Sequence, residues 1–116
     1  MTKTDARTLF MHKLGHLLTF AETEGIDVIC TDFDRSEEEQ RMFVASGKSQ
    51  VKRSRHQDWM AVDLVVIVAG EPVWTHQAGD AYERLGAYWE TQHPLCRWGG
   101  RWKTLRDAVH FEMASA

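Results

Sequence analysis

The chain has no excess of positive charge. Its 14 lysines and arginines are set against 17 aspartates and glutamates, for a net charge of −3 and a pI near 6.0. Without a basic field or a recognisable binding motif, nucleic acid is not an expected partner. Long apolar runs are missing too. The longest, Leu64-Val-Val-Ile-Val-Ala69, falls far short of the roughly 20 residues a membrane-spanning helix needs. The first residues, Met1-Thr-Lys-Thr-Asp-Ala-Arg7, lack the apolar core of a secretory leader. The expectation is synthesis in a cytoplasm, with release by another agent if the protein acts beyond it. Proline is scarce, at Pro72 and Pro94, and there is no repeat or linker-like stretch, so one domain over residues 1–116 is expected. The two cysteines, Cys30 and Cys96, form no C-x-x-C pair and are expected as buried thiols rather than a disulfide.

What is present is the composition of a globular domain: 116 residues, 43% hydrophobic and 27% charged. That composition excludes a disordered or low-complexity chain. Leu9, Phe10, Leu14, Leu17, Leu18 and Ala21 follow helical spacing, predicting a helix over about 5–24 with Thr4 as N-cap and Gly25 just past its end. The β-branched run 26–33 predicts a strand. Ser36 and Glu39 form a capping box that opens a short helix ending near Gly47. Residues 61–69 predict a strand, and its uninterrupted apolar run from Leu64 to Ala69 is what a central strand buried on both faces would show. Gly70-Glu71-Pro72 predicts a turn, with residues 73–75 pairing back. A helix is expected over 79–91, a loop over 94–105 and a short strand over 109–113. The order predicts an α+β fold with a mostly antiparallel sheet.

The chemistry-bearing residues lie in two segments. In Ser54-Arg-His56-Gln-Asp-Trp-Met-Ala-Val-Asp63, a loop histidine precedes a carboxylate at the head of a strand. In Asp107-Ala-Val-His110, a carboxylate precedes a histidine by three residues. His56, Asp63 and His110 would supply two nitrogens and one oxygen, the three-ligand set with an open position that catalytic zinc uses. Asp107 would then be free to move protons. The alternative is a surface His56, a capping Asp63 and a half-buried, satisfied His110. Against it, Asp63 interrupts an apolar strand, where a carboxylate is costly unless paired or bound to metal. A neighbouring arginine would pair it equally well.

Several segments occur in order: Arg35-Ser-x-x-x-Gln40, Ser54-x-His56-x6-Asp63-Leu64, Leu85-Gly-x-Tyr-Trp89, Arg97-Trp-Gly-Gly-x-Trp102 and Asp107-x-x-His110-Phe-Glu112. Over about residues 33–112 this set resembles the VanY-type zinc peptidases, a family of D-alanyl-D-alanine carboxypeptidases and L-alanyl-D-glutamate endopeptidases. The resemblance implies a small α+β domain of the Hedgehog and D-Ala-D-Ala-peptidase type with one zinc ion per chain. It implies His56, Asp63 and His110 as ligands and Asp107 as general base and acid. Arg35 would lie beside the metal, and Ser54 would contact substrate. The implied activity is hydrolysis of peptidoglycan stem peptides, L-alanyl-D-glutamate cleavage being favoured over D-alanyl-D-alanine removal. The implied setting is a monomeric phage lysis enzyme, made in the host cytoplasm and released by a holin-type partner. The rival is a non-catalytic zinc-containing wall-binding or phage structural protein. Two positions depart from the family pattern. Trp59 stands where many members have glycine, and Arg101 where many have an acidic residue.

Other features have plainer readings. His12 and His16 share a helical face without an evident third ligand, and His76 and His93 are expected at the surface. Of the five tryptophans, Trp98 and Trp102 are candidates for stacking on substrate, the alternative being that they brace the core. The basic run from Lys48 to Arg55 would suit either an anionic polymer or solvent. Gly99-Gly100 lacks the strand-to-helix setting of a phosphate loop.

Overall fold

The computed structural model describes residues 1–33, 41–42, 44–46 and 60–114. Helix α1 runs Lys3–Thr23, starting two residues earlier than Thr4 suggested, because Thr2 is the N-cap. Its hydroxyl accepts from the Asp5 amide while the Asp5 carboxylate accepts from the Thr2 amide, both at 3.0 Å, a reciprocal capping box. Gly25, at φ 72°, follows the last turn as expected. Strand β1 is Asp27–Asp32. The predicted capping box at Ser36 and Glu39 lies outside the described residues; residues 41, 42, 44 and 45 are helical.

Strand β2, Ala61–Val68, is the centre of the sheet. It pairs antiparallel with β1 on one side. On the other it pairs with β3 (Glu71–Val73) and β5 (His110–Met113). The β2–β3 hairpin turns at Ala69 and Gly70, with φ of 53° and 81°, the double left-handed geometry whose twist suits a two-residue hairpin. Pro72 sits in β3 at the edge, where its missing N–H costs no ladder bond. Helix α2 spans Ala81–Gln92. Strand β4, Cys96–Trp98, pairs with β5 and falls inside the segment expected to be a loop. Three residues between Pro94 and Gly99 carry too little periodicity to announce a strand. The fold is therefore α+β, with helices on one face of an antiparallel sheet.

Side-chain alternation gives the sheet two different faces. Val62, Leu64 and Val66 of β2, Phe111 and Met113 of β5, and Cys96 and Trp98 of β4 join Phe10, Leu14, Leu17, Tyr82, Leu85 and Trp89 of the helices in one core. Trp89 meets Phe10 and Phe111 edge to face, with ring centroids 5.6 and 6.2 Å away. Its Nε1–H reaches the carbonyls of Arg97 and Glu112 at 3.2 and 3.0 Å, so one core side chain ties β4 to β5. The buried Tyr82 hydroxyl accepts from the Val66 amide at 2.9 Å and donates to the Val73 carbonyl at 2.8 Å, bridging β2 and β3. Phe20 stacks on Tyr88 at 4.2 Å, joining the helices. Both cysteines are free, but only Cys96 is buried, whereas Cys30 is exposed on β1. Burial pushes the Cys96 thiol up to about 11, which makes it a core residue rather than a nucleophile. Among the described residues no helix is long and apolar enough to cross a membrane.

A carboxylate and imidazole cluster on the sheet face away from the core

Register and alternation place the polar residues of the central strands opposite the core. Asp63 of β2 lies across from His110 of β5, and Glu112 of β5 lies across from Arg97 of β4. Antiparallel partners share a face, so these four side chains project from the side away from the helices. Asp63 thus does not interrupt the core. It occupies a position whose side chain leaves it.

Asp107 arrives from the loop before β5, and its placement depends on Gly99. The Gly99 carbonyl accepts from the amides of Trp102 and Asp107 at 3.1 and 3.0 Å, and the Asp107 carbonyl accepts from His110 at 3.2 Å. A Cβ on Gly99 would lie 2.2 Å from the Asp107 carbonyl oxygen and 3.0 Å from the His110 Cβ. Glycine here lets the loop close tightly enough to bring Asp107 beside His110. The result is a set of donor atoms from Asp63, Asp107 and His110 that all lie within 4.8 Å of one another.

His110 is buried, and each of its ring nitrogens faces a carboxylate. Nδ1 lies 3.3 Å from Asp63 Oδ1, and Nε2 lies 2.7 Å from Glu112 Oε1. Burial alone would pull the imidazole down, but the hydrogen bonds and charges of Asp63 and Glu112 outweigh it and push it up to about 9. Glu112 is buried as well, which opposes its ionisation. His110 and Arg97 nevertheless hold its carboxyl below the usual range. The Arg97 guanidinium donates to Glu112 Oε2 at 2.6 Å.

The donor set fits a zinc ion. Two ligand atoms on a tetrahedral zinc with bonds of about 2.0–2.1 Å lie roughly 3.3 Å apart, the separation of His110 Nδ1 and Asp63 Oδ1. Imidazole nitrogen with carboxylate oxygen is a donor combination zinc accepts.

The expected site residues divide into three groups. Asp63, Asp107 and His110 are brought together. His56, Arg35 and Ser54 lie outside the described residues, as does Trp59. Of the two tryptophans expected at substrate, Trp102 is half-buried with its ring centroid 4.9 Å from that of His110. Trp98 is a correction. It is 5% exposed, belongs to the core and donates its Nε1–H to the Ala108 carbonyl at 2.7 Å. Its ring fills the space beside Gly86 and Gly100, where added Cβ atoms would each come within 2.1 Å of it. Trp98 therefore braces α2 against the Gly99–Arg101 turn. Arg101 pairs with Glu90 and lies 5.6 Å over the Trp98 ring. His12 and His16 are exposed. His93 is half-buried, its Nδ1 accepting from the Leu95 amide at 3.1 Å. The side chain of His76 lies outside the described set.

Residue-type spacing gave no role to Glu112 or Arg97. The available signal was the alternation His110-Phe-Glu112-Met, which puts the first and third residues on one face of a strand.

Known proteins resemble the chain in sequence and in fold. A family model described as D-alanyl-D-alanine carboxypeptidase matches residues 47–113, more than half of the chain. The L-alanyl-D-glutamate peptidase of Listeria phage A118 is 30% identical over 96 residues. That match covers 83% of this chain and 34% of the phage protein, so the chain spans about a third of that relative's length. Among solved structures, the L-Ala D-Glu endopeptidase ChiX of Serratia marcescens superposes with a TM-score of 0.65 at 33% identity, over 77% of this chain and 68% of that one. On the span of the family match and the shared fold, the chain belongs to the D-alanyl-D-alanine carboxypeptidase family.

Proposed function

We propose that this chain is a zinc peptidase that hydrolyses the stem peptides of peptidoglycan, cutting between L-alanine and D-glutamate. The observation that carries the reading is the convergence of Asp63, Asp107 and His110 on the sheet face turned away from α1 and α2. Asp63 and His110 would hold the metal with His56 as third ligand. The likeness to two L-alanyl-D-glutamate peptidases supports the choice of bond. The family description favours a second reading, removal of a terminal D-alanine.

Zinc held there would polarise the scissile carbonyl and acidify water. The chain's own residues supply the rest. The Asp107 carboxylate takes a proton from the attacking water and returns it to the departing amine, since Asp63 is engaged as a ligand. Arg35 is proposed to steady the carbonyl oxygen as it gains charge, and Ser54 to contact the peptide. The Trp102 ring, beside His110, offers a flat apolar surface to substrate. The proposed setting is a monomer comprising one domain over residues 1–116. It is made in a phage-infected host and reaches the wall after a holin-type partner opens the membrane.

The test is digestion of purified sacculi, with and without chelator, and mass analysis of the products. New D-glutamate amino termini that vanish with chelator are the expected result. Free D-alanine would favour the carboxypeptidase. No release from a protein that binds one zinc per chain would leave a wall-binding module.

A further inference from the structure

We infer that in the zinc-loaded protein Glu112, held by Arg97, is a positioning residue that keeps the proton of His110 on Nε2 and so leaves Nδ1, which faces Asp63, to bind the metal. The inference rests on the zinc reading above and concerns what makes His110 a competent ligand.

The two contacts of the His110 ring are unequal. The 2.7 Å separation from Nε2 to Glu112 Oε1 is that of a short charge-assisted hydrogen bond. The 3.3 Å separation from Nδ1 to Asp63 Oδ1 is longer than a good N–H···O bond. An ionised carboxylate only accepts hydrogen bonds, so the short contact requires the proton on Nε2. The longer one leaves Nδ1 at the spacing of two atoms sharing a metal. Which nitrogen of a ligating histidine binds metal is set by the hydrogen bond its other nitrogen makes.

Arg97 makes the arrangement one-directional. Glu112 has two oxygens and two donors: Oε1 meets His110 Nε2, and Oε2 meets Arg97 at 2.6 Å. The guanidinium never gives up its protons near neutral pH. The two donors meet different oxygens of Glu112, and the single oxygen of an amide at position 112 cannot stand in both places. In Glu112→Gln that oxygen turns to Arg97 and the NH2 group turns to Nε2. Nε2 must then accept, and the ring proton moves to Nδ1, the atom the metal needs. Replacing Arg97 as well releases the amide oxygen to accept from Nε2–H. Arg97 is 56% exposed at its side chain, so its loss leaves the core untouched.

The experiment measures zinc affinity by competition with a chromophoric chelator for wild type, Glu112→Gln and Glu112→Gln/Arg97→Leu. Circular dichroism checks the fold. The histidine ring nitrogens of the zinc-loaded wild type are read by two-bond 15N–1H correlation. Glu112→Gln should bind zinc about 10–100-fold more weakly, and the added Arg97→Leu should restore part of the loss. The spectrum should show His110 protonated at Nε2 with zinc on Nδ1. A folded Glu112→Gln protein with unchanged affinity overturns the inference, as does a double variant no tighter than the single one. Zinc on Nε2 of wild-type His110 also overturns it, and that reading stands even if Glu112→Gln fails to fold. A wild type that binds no zinc overturns the zinc reading itself, and this inference with it. Wild-type binding with unaffected variants removes only the inference.

Discussion

The two faces of this sheet follow opposite rules although they share the same strands. The helix-covered face is apolar and tightly filled, with Trp89, Phe111 and Val62 almost wholly buried. The opposite face buries His110 and Glu112 beside Asp63. Buried ionisable groups cost stability unless each finds a partner, and here they are joined in a row from Arg97 through Glu112 and His110 to Asp63. The apolar face holds the strands in register. The polar face uses that register to set distances between charges. Stability and chemistry are thus separated by side-chain parity where β2, β5 and β4 lie side by side, at Asp63, His110, Glu112 and Arg97.

Substitutions on the two faces should therefore fail differently. The largest effect is expected from the apolar face. Trp89→Ala removes a fully buried ring and the Nε1–H shared by β4 and β5, and should cost about 3–5 kcal/mol. Denaturant unfolding would measure it, and a change below about 1 kcal/mol would break the division of labour. On the polar face, Asp107→Asn should leave the unfolding midpoint and zinc content near wild type while lowering turnover of sacculi about 10²–10⁴-fold. Retained turnover would remove Asp107 from the proposed chemistry. Gly99→Ala lies where the faces meet. The added Cβ forces the Asp107 backbone away, with an expected cost of about 1–3 kcal/mol and a loss of turnover larger than the loss of stability explains.

The remaining test is a pH dependence of the metal-free protein. His110 titrates at about 9 when folded, against an ordinary 6.5. A raised histidine contributes stability that is complete below the unfolded value and disappears as pH rises through the folded one. Thermal unfolding in chelator should show this part of the stability intact near pH 6 and lost by pH 10. Glu112→Gln should flatten the trend, and a profile unchanged by that substitution would detach Glu112 from the charge on His110.

Much of this organisation was legible in the residues. The helix over 3–23 could be read from the spacing of Phe10, Leu14, Leu17 and Ala21, because a helix repeats its buried face every 3.6 residues. The central strand could be read from its apolar run, and Asp63 stood out because it broke that run. Other features were not legible for equally physical reasons. The N-cap at Thr2 rather than Thr4 depended on which hydroxyl reached an open amide. Strand β4 is too short to show a period, and it exists because β5 and Trp89 hold it. Trp98 looked like a cleft residue by its neighbours in sequence, whereas Gly86 and Gly100 open the space in which it is buried.

The sequence by itself determined the α+β class, the helical and strand periods, and the residue types from which a metal site could be made. Periodicity and composition act locally and are complete in the chain as written. The tertiary structure alone decided that Asp63 and His110, 47 positions apart, stand opposite each other across two strands. It also decided that Glu112 rather than another acid faces Nε2, and that Gly99 admits Asp107. Those outcomes depend on strand register and side-chain parity, and register becomes fixed only when the apolar face packs.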